Sequence, residues 1–191
     1  MLITLLKQVG LSRLGRRFAR STAGNIAVEF AVILPALLLF YLSAFDGSQA
    51  VSANSKVDVI GSTIGDLVSR STTMNAGRFS NIMAISSAIL NPFSTEGLVM
   101  TVTTLRIDAN GKAVVDWSKS TTGGVTATGQ SPGDAYALPP HLQSFASSYL
   151  VVTTVAYPYK TLLSYGGLIT DVPMGSTYVF RPRKSAEIPF G

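Results

Sequence analysis

Residues 26–45 read IAVEFAVILPALLLFYLSAF, twenty positions interrupted only by Glu29 and Ser43. At 1.5 Å per residue they make about 30 Å of helix, the thickness of a bilayer's hydrocarbon core. Residues 1–24, immediately before, hold Lys7, Arg13, Arg16, Arg17 and Arg20 and no acidic residue. The positive-inside rule then keeps this leader in the cytoplasm and puts everything after about residue 46 outside it. Tyr41 falls near the outer end, where an aromatic anchor is expected. The leader also accounts for the whole net charge of +5, because the other 167 of the 191 residues carry ten charges of each sign. A neutral body lacks the Lys/Arg stripe of a nucleic-acid-binding surface, so no nucleic acid is expected as a partner.

Downstream of the span the apolar positions keep a helical period. Phe45, Ser48, Val51, Val57, Ile60, Ile64, Leu67 and Val68 predict that the helix continues as an amphipathic stem toward Arg70. A second helix is predicted from Ser80 to Leu90, stopped by Asn91-Pro92. The period then changes to two. Leu98–Asp108, the turn Asn110-Gly111 and Lys112–Ser118 form the strongest hairpin signal in the chain. Residues 120–134, rich in Gly, Ser and Thr, read as a mobile loop. A short helix after Pro139-Pro140 and strands at Ser148–Tyr157 and Ser176–Arg181 complete the reading. The expected architecture is α+β: an N-terminal transmembrane helix continuing into an amphipathic stem, packed on a small antiparallel sheet of about four strands. Its divisions are a leader at 1–24, a transmembrane helix at 25–46 and a periplasmic domain at 47–191.

Composition narrows the chemistry. The chain has no cysteine, which excludes disulfides, thiol nucleophiles and cysteine-ligated metals, and its single histidine is His141. His141 follows two prolines and reads as a surface residue at a helix start. Gly124–Ser131 has the outline of a phosphate-binding loop, but Gln130 stands where the lysine would and Pro132-Gly133 opposes the following helix. Asp108, Asn110 and Asp116 bracket a turn, and turn chemistry explains them better than calcium binding. Arg181, Arg183 and Lys184 read as a solvated basic cluster and Trp117 as a core residue. No catalytic motif is present, so neither an enzyme, nor a cofactor, nor a metal, nor a small-molecule substrate is expected.

The informative junction lies between leader and span. Gly24-Asn25-Ile26-Ala27-Val28-Glu29-Phe30 sets a glycine at the end of the basic leader and Glu-Phe at the opening of the apolar run. It resembles the cleavage motif of type IV prepilins. With EFAVILP at Glu29–Pro35 and RRFARSTAG before it, the stretch is similar to the TadE-like pseudopilins of the tight-adherence (Flp pilus) system. Chain length and the ending Arg181-Pro182-Arg183 look like the short TadE or TadF members. The resemblance implies a bacterial inner-membrane subunit, cut after Gly24 by a prepilin peptidase, whose partners are other pilins or pseudopilins and the membrane. It also implies that Glu29 pairs with the amine of Asn25 on a neighbouring subunit, and that Phe30 and Pro35 belong to the recognition and assembly segment.

Elementary physics points the same way. Glycine lets a protease at the membrane face approach the bond closely. Glu29, four residues beyond Asn25, falls on the same helical face one turn deeper. Pro35 removes a backbone hydrogen bond and is expected to kink or loosen the span near Ala31. The competing reading is an ordinary signal peptide cut at Ser48-Gln49-Ala50, releasing a secreted binding or adhesive domain.

Overall fold

A computed structural model describes residues 22–139, 142, 147–161, 167 and 170–191. The chain forms two compact units, Met1–Gly47 and Ser48–Gly191, and the division falls inside helix α1, Thr22–Ser69. Helix α2 spans Ala76–Leu90. The strands are β1 (Val99–Ile107), β2 (Ala113–Thr122), β3 (Val125–Thr128), β4 (Ala135–Tyr136), β5 (Tyr149–Tyr159) and β6 (Val172–Phe180). The fold is α+β, as the residue patterns require. Most of the leader, His141 and the helix expected after Pro139-Pro140 lie outside the described residues, apart from Leu142.

In the second unit, Ala53, Val57, Ile60, Ile64 and Val68 of α1 are buried at spacings of three and four, a single stripe. This corrects the upper part of the expected stem, where Phe45, Ser48 and Val51 are exposed. Val51 is two residues from Ala53, about 200° around the helix, and cannot share its face. Gly61 and Gly65 lie beside the stripe. A Cβ on Gly61 would come within 2.9 Å of Ser176 Oγ and of the Tyr178 ring, and one on Gly65 would overlap the Phe180 ring. The two glycines thus set how closely α1 lies on β6.

Helix α2 begins four residues before the expected Ser80, because Asn75 caps it by accepting the Arg78 N–H at 2.8 Å. It ends at Leu90, before Asn91-Pro92, as read. Lys56 Nζ, from α1, donates to the carbonyls of Ile89 at 3.0 Å and Asn91 at 2.7 Å, satisfying acceptors that a helix end leaves open.

The described strands form one antiparallel sheet in the order β3-β2-β1-β5-β6, with β4 also on β2. Six strands rather than about four result, because β3 forms inside the expected loop at 120–134 and the two-residue β4 pairs with β2 just beyond it. Gly123 and Gly124, both at positive φ, make a two-residue turn that folds β3 back on β2. The β1–β2 register shifts between Thr104↔Trp117 and Leu105↔Val115, leaving Asp116 as the extra residue of a bulge. Trp117 consequently joins the core under the helices with Met100, Val102, Val151 and Val155, while Val115 joins a smaller core with Leu105, Ile107, Leu150 and Leu138. Without the bulge, residues 115 and 117 would share a face.

Arg181, Arg183 and Lys184 are exposed, as a solvated cluster requires, while the C-terminal segment is tied down at several points. Arg183 N–H donates to Ser69 O at 2.8 Å, its guanidinium lies 3.4 Å from Asp66, and Phe190 forms a parallel bridge with Met74. Ile188 is fully buried.

Candidate functional site

The first unit carries the segment singled out in the sequence. Its large apolar side chains are exposed on all sides of α1, from Ile26 through Val32 at 72% and Leu37, Leu38 and Leu39 to Phe40 at 75%. A helix apolar all round is either a buried core helix or a membrane span. None of this apolar window is buried within the protein, and by length and composition it suffices to cross a bilayer. Such a helix is compatible with membrane anchoring. Ser43 Oγ donates to Leu39 O at 2.8 Å, which satisfies the hydroxyl inside the helix.

Gly24 and Asn25 lie in the first turn of α1, and Glu29 and Phe30 follow one turn later with exposed side chains. Pro35 sits inside α1, and the helix runs through it without a break. Proline still removes an N–H from the ladder there. The competing cleavage segment, Ser48-Gln49-Ala50, also lies within α1, with Ala50 partly buried against the core.

Elsewhere, side chains that could bear chemistry are engaged in structure. Asp108 Oδ1 accepts the N–H groups of Asn110 and Lys112 at 2.8 Å each, and Gly111 takes φ +78° to close the turn. Asp116 accepts Tyr149 OH at 2.7 Å and Arg106 at 3.3 Å, and Arg106 reaches Glu187 at 2.9 Å. Burial, first of all, pushes the Tyr149 phenol well above its ordinary value; the hydrogen bond with Asp116 and its negative charge add to this. Among the described residues no group of three or more His, Asp or Glu is placed to hold a metal.

Sequence reasoning missed how Arg106, Asp116 and Tyr149 converge on the tail. The signal was faint: Ile188 and Phe190 are two apolar residues in a stretch of prolines and charges.

A family model described as TadE-like protein matches residues 24–59. The matched stretch runs from Gly24 through Glu29, Phe30 and Pro35 into the buried stripe at Ala53 and Val57. No curated protein and no solved structure matches the chain.

Proposed function

We propose, from the match of residues 24–59 to the TadE-like protein family, that this chain takes part in the Tad pilus system as a minor pseudopilin of Flp-type pilus assembly and adhesion. In this reading it is a structural subunit of the bacterial inner membrane, with residues 1–24 in the cytoplasm and the sheet domain in the periplasm. A prepilin peptidase cuts between Gly24 and Asn25. The new Asn25 amine then meets Glu29 of a neighbouring pilin or pseudopilin as their apolar helices pack side by side.

One observation carries the proposal. Glu29 is the only acidic residue in the first 45 positions, and it stands one helical turn from Asn25 on the part of α1 whose large apolar side chains are exposed. A carboxylate in a membrane span costs about 2.5–3.5 kcal/mol at the bilayer centre and less toward the interface. An ammonium partner in the same low-dielectric setting offsets that cost, since the attraction strengthens as the dielectric falls. Exposed Phe30 and Pro35 follow this pairing segment.

The test is assembly of Glu29 variants in cells that make the whole system. Glu29→Ala removes the insertion cost together with the pairing, so the protein should insert and be cut after Gly24 yet fail to co-purify with partner pseudopilins. Glu29→Gln keeps size and an acceptor but loses most of the attraction to an ammonium. Assembly should therefore rank wild type, then Gln, then Ala. Normal piliation and co-purification in Glu29→Ala, with cleavage confirmed, would remove the assembly role.

A further inference from the structure

Beside the main core, a pocket of about 280 Å³ opens between α2 and the β1–β2–β3 end of the sheet. Its floor is one cross-strand row, because the register pairs Met100 with Thr121 and Thr121 with Thr126. Its opposite wall comes from Ser80, Met83 and Ser87 of α2. Among the described residues no charged and no aromatic side chain lines it. Within it Thr121 is only 4% exposed.

The row ends at an open edge. Among the described strands β3 is the last on its side of the sheet, all four of its residues are exposed, and Val125 is 72% exposed. Unpaired strand edges of this kind are templates for strand addition. One row further along, the register pairs Val102 with Lys119 and Lys119 with Thr128. Lys119 Nζ donates to Thr128 Oγ1 at 3.4 Å and stands 5.2 Å from the centre of the Phe190 ring. Among the described residues no carboxylate pairs with this ammonium, which therefore lies over β3 toward the open edge.

We propose that the β3 edge is a docking site for an extended segment of a partner protein. The added strand bears an uncharged aliphatic residue in register with Thr126 and an acidic residue two positions along, in register with Thr128. Residues two apart on a strand share a face, so both side chains point toward α2. The aliphatic one extends the Met100–Thr121–Thr126 row into the pocket, where the adaptable Met83 and Met100 side chains pack on it. The acidic one meets Lys119. Main-chain hydrogen bonds to β3 supply affinity, and the pocket and the ammonium supply selectivity.

The experiment uses the full chain in detergent micelles and fluorescent peptides acetyl-TLTET-amide and acetyl-TLTKT-amide, read by anisotropy. The acidic peptide should bind roughly fivefold more tightly than the basic one. Lys119→Glu should reverse that order. Ala84→Phe, at an exposed position of α2 that lines the pocket, should weaken both peptides while leaving the circular dichroism spectrum unchanged. Equal binding of the two peptides, an order unchanged in Lys119→Glu, or no binding up to about 1 mM would overturn the proposal. So would self-association through β3 that the acidic peptide does not compete, since the occupant would then be a second copy.

Discussion

The indole Nε1 of Trp117 donates to the carbonyl oxygen of Ile188 at 2.7 Å, tying the middle of the sheet to the C-terminal segment. The same carbonyl accepts Tyr149 OH at 3.3 Å, and the Phe190 ring lies 5.1 Å from the indole, centre to centre. Trp117 reaches this position because the bulge at Asp116 turns it under the helices.

Trp117→Phe keeps an aromatic ring but leaves the buried Ile188 carbonyl with only its longer bond. It should cost about 1–3 kcal/mol. Urea unfolding of residues 48–191 followed by far-ultraviolet circular dichroism measures this, and both hydrophobic clusters lie within that fragment. An unchanged midpoint would mean that the tail contributes little to the fold.

Tyr149 makes the fold sensitive to alkali. Its phenol is held protonated above the ordinary 10.0, chiefly by burial, and Tyr136 is shifted the same way by burial. Above that value the unfolded chain has lost protons that the folded chain keeps, so stability must fall as pH rises. It is fully present below pH 10 and should decline between pH 10 and 12. In Tyr149→Phe the decline should be shallower, as urea midpoints at pH 9 and pH 11 would reveal. Equal declines would assign the effect to other groups.

Gly65→Ala sets helix propensity against packing. Alanine gains roughly 1 kcal/mol in a helix interior, yet the added Cβ overlaps the Phe180 ring. Overpacking of this kind costs about 1–3 kcal/mol, so net destabilisation is expected. Gly47→Ala has no atom within 4 Å of the new Cβ and should not destabilise. Thermal unfolding of both variants in detergent compares them, and a stabilised Gly65→Ala would mean that α1 can lift from β6 without cost.

These positions also show what the sequence made legible. The β1–β2 hairpin was readable because period-two alternation flanks Asn110-Gly111, and α2 because Asn91-Pro92 stops it. β3 was not, since a run of Thr and Gly carries turn signals as strong as its strand signals. The bulge at Asp116 leaves no compositional mark at all. Ala53 and Gly65 went unread as packing positions because small residues add little to an apolar period, although on α1 it is their smallness that lets the helix approach the sheet. The segment from Gly24 to Pro35 was legible for another reason. A lone acid in a long apolar run behind a basic leader is a rare pattern that stands out in the sequence, and the TadE-like match covers the same residues.

Orientation is open to a direct check. With the leader in the cytoplasm, a reporter active only in the cytoplasm and fused after Gly191 should be silent, while one active only outside it should report. The reverse pattern would invert the proposed topology.

Maturation at the Gly24–Asn25 bond is the most direct test of the whole account, and the N-terminal residue of the protein extracted from membranes measures it. Mass spectrometry of the N-terminal peptide should find Asn25 as the first residue. In Gly24→Leu, whose side chain obstructs the bond, the uncut precursor should accumulate. A mature chain starting at Val51 would instead assign processing to the Ala50 site and a released domain. Met1 in the wild-type protein would mean that no such cleavage occurs, and either result would contradict the pseudopilin reading.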